Sequence, residues 1–265
     1  GLQAIPTDTP MLTRNGWSTM GGLSVGDEVA TPAGGWTKVE ECSPVRTRPT
    51  WDVSFSDGTQ LAADEGHRWF VQPVSLGHRY LEPRFMTTGE LMAAEDQFKY
   101  FRVAAPEPVE GDEQELPLDP YVFGAWLGDG TRGMAQFTQD DSGDDMDELR
   151  AAIELAGYET RPQSGRSRFG ALGMLPALRA TGAFHDKHVP DLYLRGSFKQ
   201  RLALLQGLMD TDGHVSRPKA IKPKGKAKTF RGGALEVTST NKALAEAVLS
   251  LSRSLGFKST MNEGR

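Results

Sequence analysis

The 265-residue sequence contains one cysteine, Cys42. A single thiol excludes an internal disulfide framework and is typical of a reducing cytoplasm. The sequence has no apolar run long enough to cross a membrane, so we expect no membrane partner. The first residues lack the basic end and the apolar stretch of a secretory signal. The sequence therefore predicts a cytoplasmic globular protein with room for two domains.

An overall excess of positive charge is also missing, since the formal net charge is −5. The two parts of the sequence nevertheless differ. Residues 1–115 contain 9 Lys/Arg and 18 Asp/Glu, a balance of −9, whereas residues 116–265 contain 21 and 17, a balance of +4. This asymmetry predicts two domains with different partners.

One segment of the second part has seven cations and no acid. It is either a solvated loop or a DNA-contacting segment, and a loop that orders on DNA satisfies both interpretations. We favour DNA contact, because these cations would neutralise several phosphates and make binding steeply salt-dependent. The predicted DNA-contacting residues are Arg217, Lys219, Lys222, Lys224, Lys226, Lys228 and Arg231.

Two segments that lie 83 residues apart end in the same way. Residues 122–130 are VFGAWLGDG, and residues 205–213 are LQGLMDTDG. Each is an apolar helical stretch in which small residues recur four apart, so that two backbones can approach closely along one face. The glycine after each aspartate predicts a helix end through a left-handed residue.

Two such helices packed side by side would bring Asp129 and Asp212 together at their C-terminal ends. Paired carboxylates near a basic segment suggest a divalent-metal site for phosphodiester hydrolysis. The two segments resemble the two copies of the LAGLIDADG motif of homing endonucleases, closely in the second copy and more loosely in the first. The resemblance implies that Asp129 and Asp212 hold Mg²⁺ and that a monomer cuts both strands of a DNA target in the uninterrupted host gene.

The same resemblance implies an α+β fold of two αββαβ-like halves, related by a pseudo-twofold axis, with a saddle of strands on DNA. Lys187 lies in a Lys-x-x-Pro segment before the second motif, as in intein endonucleases, where the lysine stabilises phosphate charge. A plain surface lysine is the other interpretation. We also expect Arg161, Arg166 and Arg168 to face DNA from a pair of strands.

Residues 13–71 predict a compact all-β domain, because short alternating strands are separated by tight turns such as Asp57-Gly58. The segments at residues 8–17, 23–29 and 57–67 resemble the opening of an intein splicing domain, the Hint fold. In that family the residue at the position of His67 lies beside the N-terminal scissile peptide, where imidazole can protonate a departing amide. The threonine that the family has three residues earlier is Asp64 here.

Most inteins begin with a Cys or Ser nucleophile, but that position is Ala4 here. Either the nucleophile was replaced, or the chain is a class 3 intein, which lacks it and has a Trp two residues after the His. Trp69 occupies that place and favours class 3. No C-terminal splicing block ending in His-Asn is present, so we expect this chain alone not to splice and the Hint domain to be incomplete. Its expected partners are then the flanking extein sequences and a missing C-terminal intein fragment.

These features predict a Hint part at residues 1–105, an acidic Pro-rich linker at 106–118 and an endonuclease domain at 119–265. They place the protein in the cytoplasm of a bacterial or phage-infected cell. Three alternatives remain open. The first is a degenerate endonuclease that supports a splicing element. The second is an RNA maturase, against which the Hint-like part argues. The third is a Hedgehog-type autoprocessing module, which would not contain the two Asp-Gly helices.

Overall fold

A computed structural model describes residues 4–138, 145–163, 168–216 and 234–262. The chain divides into two compact units. The first comprises Gly1–Glu110 with Gly256–Thr260, and the second comprises Gly111–Leu255 with Met261–Arg265. Within the described residues, no helix is both long and apolar enough to span a bilayer.

The first unit consists mostly of short antiparallel strands. They form a four-stranded sheet of order β2-β1-β3-β4, a hairpin β5-β6 and a three-stranded sheet of order β8-β7-β9. The bounds are β1 Pro10–Thr13, β2 Gly16–Thr19, β3 Glu28–Ala30, β4 Trp36–Lys38, β5 Trp51–Ser54, β6 Gln60–Ala63, β7 Arg68–Ser75, β8 Arg84–Thr87 and β9 Phe98–Arg102.

The turn at Gly58 joins β5 to β6 with a φ of 84°, as the Asp-Gly signal predicted. One helix, α1 at Thr88–Ala93, departs from an all-β domain. It forms because Thr87 and Glu90 make a reciprocal capping box at its first turn. A small core of this unit gathers buried residues of β6, β7, β8 and the end of α1: Ala63, Trp69, Val71, Met86 and Ala94.

The second unit mixes helices and strands, which confirms the predicted fold class. A three-stranded sheet of order β10-β12-β11 and a hairpin β13-β14 lie among six helices of the described residues. The bounds are α2 Pro120–Asp129, β10 Gln136–Thr138, α3 Asp145–Leu155, β11 Glu159–Pro162, β12 Arg168–Leu172, α4 Leu175–Ala180, α5 Asp191–Leu194, α6 Phe198–Asp212, β13 Gly213–Ser216, β14 Ala234–Val237 and α7 Lys242–Ser254.

The order of elements differs between the two halves of this unit. Among the described residues the first half is αβαββα, with α3 between its first and second strands, and the second half is αββα. The second half matches the start of the expected αββαβ repeat, whereas the first half contains an early helix. Helix α3 forms there because Leu149 and Ile153, one helical turn apart, are buried in the core of the unit.

Helix α2 is the centre of this core. Every residue from Val122 to Leu127 is buried, and the stacked rings of Phe137 and Phe169 cover the sheet side, with their centroids 5.2 Å apart. Arg201 of α6 is also buried, at 2% exposure, and its guanidinium donates to the Gly196 and Ser254 carbonyls at 3.0 and 2.8 Å. These bonds satisfy the buried charge and tie α6 to the end of α7.

Candidate functional site

Helices α2 and α6 each begin at a side chain that caps the backbone. The Asp119 carboxylate accepts from the Val122 N–H at 3.1 Å, and Pro120 occupies the first turn, where its missing N–H costs no hydrogen bond. The Ser197 hydroxyl accepts from the Gln200 N–H at 3.3 Å, and the Gln200 amide oxygen accepts from the Ser197 N–H at 3.0 Å. Both caps satisfy N–H groups that a helix leaves unpaired, so the sequence fixes where each motif helix starts.

The two helices cross at their motif glycines. A Cβ added at Gly124 would lie 2.1 Å from the Leu204 carbonyl oxygen, and one added at Gly207 would lie 2.0 Å from the Tyr121 carbonyl oxygen. The two contacts are equivalent, because the motifs are 83 residues apart: Gly207 corresponds to Gly124, and Leu204 corresponds to Tyr121. The crossing is therefore locally twofold, and only a residue without a side chain fits at either position.

One turn later the matching positions differ. A Cβ added at Gly128 would lie 2.1 Å from the Thr211 hydroxyl, which itself donates to the Gly207 carbonyl of its own helix at 3.0 Å. The small residue on α2 thus makes room for the slightly larger one on α6. The expectation that both pairs of small residues permit a close approach is met by this geometry.

The predicted helix ends were wrong in their conformation. Gly130 and Gly213 do not leave the helices through left-handed residues. Their backbones are extended, with φ and ψ of −67° and 143° at Gly130 and of −88° and 156° at Gly213. Glycine is required for space instead, because an added Cβ would lie 2.3 Å from the Trp126 and Met209 carbonyl oxygens, respectively.

The last residues of the two helices form a compact charged group. Burial and the charge of Asp212 together raise the pKa of Asp129 to about 6, while the charge of Lys187 opposes both. Burial likewise raises the pKa of Asp212, again against Lys187. The Asp212 carboxylate carbon would lie 3.4 Å from a Cβ added at Gly128, the residue before Asp129. The charge of Asp212 acts on Asp129, and Lys187 acts on both carboxylates, so the three groups lie near one another.

Lys187 is held on several sides. Its ammonium donates to the Gly128 carbonyl at 2.8 Å and lies 5.3 Å from the ring centre of Trp126. The Asn241 side-chain amide donates to the Lys187 carbonyl at 2.7 Å, while its oxygen caps α7. Burial lowers the pKa of Lys187, and the two carboxylates oppose that shift. Sequence reasoning missed Trp126 and Asn241, although the asparagine before α7 is a recognisable cap signal.

The carboxylate pair fits Mg²⁺ in its chemistry. The described residues contain no cluster of three or more His, Cys, Asp or Glu side chains able to hold a metal. Magnesium typically takes one or two protein carboxylates and completes its shell with water and substrate phosphate, so two aspartates suffice. The raised pKa of Asp129 points the same way, because a nearby cation would relieve the repulsion between the two carboxylates.

Two of the predicted DNA-contacting residues lie on one face of the β10-β12-β11 sheet. Arg161 pairs with Gly170 in the register, two positions from Arg168, and both arginines are exposed. Phe169 and Ala171 point to the buried face. Arg161 also pairs with Glu159 at 2.9 Å. The other predicted contacts lie outside the described residues: Arg166, Arg217, Lys219, Lys222, Lys224, Lys226, Lys228 and Arg231.

In the first unit, Asp64 holds both backbone groups of Ala4. The Asp64 N–H donates to the Ala4 carbonyl at 2.9 Å, and its Oδ1 accepts from the Ala4 N–H at 3.2 Å. The second carboxylate oxygen lies 3.3 Å from the Arg48 guanidinium, and Asp64 is only 3% exposed. The residue at the usual threonine position therefore fixes the segment that contains the expected junction.

His67 and Trp69 lie next to each other, with ring centroids 4.8 Å apart. The Trp69 indole donates to the Thr88 hydroxyl at 3.0 Å. The His67 Nδ1 is buried and has no hydrogen-bond partner among the described residues, and burial lowers the pKa of the ring against the charge of Asp64. A cavity of about 490 Å³ adjoins this group and is lined by Arg48, Pro49, Trp51, Asp64, Glu65, Gly66 and Thr87.

Comparison with known proteins adds sequence matches to this geometry. Residues 199–265 match the family described as LAGLIDADG-like domain. A replicative DNA helicase DnaB of Mycobacterium intracellulare is 34% identical over 277 aligned positions, which span 97% of this chain and 43% of that protein. A DnaB helicase of Mycobacterium leprae is 40% identical over 78 positions, 29% of this chain and 12% of that protein. The chain thus spans less than half the length of these relatives.

Two crystal structures of the MchDnaB-1 intein, one of them of the N145AA form, are each 32% identical in sequence to this chain. The matches cover 37% of this chain and 76% or 77% of those chains, with a TM-score of 0.27, so the likeness is one of sequence. The resemblance that the motifs suggested is confirmed by these matches. The chain belongs to the inteins and contains a LAGLIDADG-like domain over residues 199–265.

Proposed function

We propose that the second unit is a site-specific DNA endonuclease that cuts both strands in a Mg²⁺-dependent reaction. The observation that supports this function best is the pairing of Asp129 and Asp212. Each comes from the end of one motif helix, and they meet beside Lys187 at the end of a locally twofold crossing. A twofold pair of carboxylates suits a duplex, whose two strands are themselves related by twofold symmetry. The function needs DNA and Mg²⁺, which a bacterial cytoplasm supplies.

Each residue has a separate task in this proposal. Asp129 and Asp212 would hold Mg²⁺, which would neutralise phosphate charge and promote attack by water. The closely packed helices keep the two carboxylates in place, so little reorganisation is needed when DNA binds. The Lys187 ammonium supports the negative charge that grows on the phosphate during cleavage. Trp126 and the Gly128 carbonyl limit the positions that this ammonium can take.

A plasmid-cleavage assay tests the function. A supercoiled plasmid containing the uninterrupted host gene is incubated with the protein in Mg²⁺ or in EDTA. We expect a linear product in Mg²⁺ only, and we expect Asp129→Asn and Asp212→Asn to abolish it. Asp210→Asn is the matched control, because Asp210 is an exposed acid of the same helix and its carboxylate accepts from the Tyr121 hydroxyl at 3.0 Å.

Two results would contradict the proposal. Linear product that persists in both Asp→Asn variants would remove the aspartates from the chemistry. Retained DNA binding without cleavage by the wild-type protein would identify a degenerate domain that only supports the splicing element.

We further propose that Ala4, Asp64, His67 and Trp69 form the N-terminal junction site of a class 3 splicing element. The Nδ1 of His67 supports this role, because it is buried and has no hydrogen-bond partner among the described residues. Buried polar atoms normally have a partner. The Nδ1 of His67 is therefore available to bond a peptide group. In a full-length precursor, His67→Ala should remove the N-terminal cleavage product, whereas the exposed His78→Ala should leave it unchanged. Equal cleavage in both variants would reject the site.

A further inference from the structure

The outer face of the β8-β7-β9 sheet exposes large aromatic rings. Phe70 and Phe85 face each other across β7 and β8, with centroids 5.1 Å apart, and they are 53% and 58% exposed. Tyr80, in the loop between these strands, is 61% exposed. Aromatic residues gathered on a solvent-facing sheet indicate an interaction surface. None of them takes part in the two sites described above.

Two arginines lie over these rings. The Arg68 guanidinium lies 4.5 Å from the ring centre of Phe85, and that of Arg102 lies 5.1 Å from the ring centre of Tyr80. Neither arginine has a carboxylate partner among the described residues. We call Arg68, Phe70, Tyr80, Phe85 and Arg102 the Arg–aromatic face.

The charge of this face is opposite to that of its surroundings. Strands β7, β8 and β9 contain no acidic residue, whereas residues 1–115 as a whole have twice as many acids as cations, 18 against 9. A cationic surface inside an acidic region does not arise from overall composition. It is complementary to a polyanion, and a generally acidic unit would repel that polyanion elsewhere.

The contacts between rings and arginines decide which part of a nucleic acid fits. Bases stack on free aromatic faces, but on Phe85 and Tyr80 a guanidinium already lies over the ring. The rings instead hold the guanidinium groups in place, and a guanidinium held in this way is suited to phosphate oxygens. The face therefore favours the sugar–phosphate backbone over unpaired bases.

We propose that the Arg–aromatic face binds the phosphate backbone of duplex DNA. Arg102 pairs with Gln72 in the register, four residues along β7 from Arg68. That separation is roughly 13 Å along the strand, several times the ~3.4 Å axial rise between successive nucleotides of one DNA strand. The two arginines can thus contact different phosphates of one backbone. This contact adds a DNA-binding surface in the first unit to the proposed endonuclease and does not depend on cleavage.

Fluorescence anisotropy with a labelled 30-base-pair duplex of mixed sequence, in EDTA and over a series of salt concentrations, tests the surface. The double variant Arg68→Gln/Arg102→Gln should weaken binding about tenfold or more. It should also reduce the slope of log K against log salt by about 1.8, or ~0.9 for each lost phosphate contact. Arg14→Gln/Arg46→Gln is the matched control, because it removes the same charge from the first unit at positions off this face.

A second variant tests whether binding needs the rings that hold the arginines in place or only the positive charge of the arginines. Phe85→Leu/Tyr80→Leu keeps every charge but removes the rings under the guanidinium groups, so we expect weaker binding with an unchanged melting temperature. Equal affinity and slope in Arg68→Gln/Arg102→Gln and in its control would overturn the proposal. So would tighter binding of a single-stranded 30-mer than of the duplex, because that result assigns the face to unpaired bases.

Measuring both DNA binding and plasmid cleavage on these proteins distinguishes this proposal from the endonuclease function. If the arginine variant binds like wild type while wild type still cuts the plasmid, the surface fails and the function stands. If wild type binds through the face but never cuts, the function fails and the surface stands.

Discussion

The two motif helices are alike where they cross and differ one turn later, just before their matching aspartates. At the crossing, Gly124 and Gly207 make reciprocal contacts with the opposite backbone. Just before the aspartates, Gly128 faces Thr211, and Lys187 donates to the carbonyl of Gly128. The difference shows which part of the motif is fixed by packing and which part is free to specialise. Backbone contact tolerates no change, whereas the position before each aspartate can differ between the halves.

The largest effect on stability should come from substitutions that force α2 and α6 apart where they cross. Gly124→Ala and Gly207→Ala each place a Cβ about 2 Å from a carbonyl oxygen that cannot move without displacing a helix. We expect each to lower the free energy of unfolding by about 3 kcal/mol or more, measured by denaturant unfolding. Gly77→Ala, where the nearest atom to an added Cβ lies 3.9 Å away, is the control. A loss below about 1 kcal/mol in both variants would show that the helices adjust.

Replacement of Lys187, which donates to the α2 carbonyl of Gly128, should impair cleavage more than DNA binding. Lys187→Met keeps most of the side-chain volume but removes the charge beside both carboxylates. If the ammonium supports the phosphate, kcat for plasmid cleavage should fall about 100-fold, with little change in DNA affinity. Lys199→Met on the exposed side of α6 should have no effect. A change in KM alone would assign Lys187 to substrate binding.

The pH dependence of stability should reveal the raised pKa of Asp129. Its pKa rises from 3.8 to about 6 on folding, so the folded state binds the proton more tightly. In EDTA the wild-type protein should therefore lose stability as pH rises from about 4 to about 6 and show the full penalty above that range. Asp129→Asn removes the penalty, which is on the order of 1–2 kcal/mol after allowance for solvent screening.

Thermal melts in EDTA from pH 4 to pH 8 measure this prediction. The melting temperature of Asp129→Asn should exceed that of wild type by a margin that grows with pH and then levels off. Asp210→Asn should show no such growth. A constant margin at every pH would mean that the carboxylate is not destabilised by its surroundings.

The smallest effect should come from the one mismatched position of the crossing. Gly128→Ala places a Cβ against the Thr211 hydroxyl, which is a side chain and can be removed. Thr211→Ala should therefore rescue most of the loss, with a coupling energy of about 1 kcal/mol in a double-mutant cycle. Additive losses would show that the backbones and not the side chains collide there.

The sequence predicted the helices and their pairing better than the details of their ends. Gly124 and Gly207 were predictable because small residues four apart have few uses other than close helix packing. The extended conformation of Gly130 and Gly213 was not, because a glycine after a helix adopts the left-handed and the extended conformations with similar ease. Local propensity cannot decide between the two.

Residues that support the site through tertiary contacts were also missed. Asn241 reaches the Lys187 carbonyl across 54 positions of sequence, and buried Arg201 reaches Ser254 across 53. Neither spacing corresponds to a helix or strand period, so no pattern indicates the contact. The grouping of the Arg–aromatic face was also hidden, because its members come from three strands and a loop whose register only the structure shows.

The two hydrogen bonds between Asp64 and Ala4 determine which substitutions position 4 can accept. Both hydrogen bonds end on backbone atoms of residue 4, so its side chain has no share in them. Replacement of Ala4 by another small residue leaves both hydrogen bonds intact, whereas replacement of Asp64 removes the carboxylate contact. Position 4 can therefore diverge among related chains without loosening this segment, and the constraint on the segment falls on a residue 60 positions away.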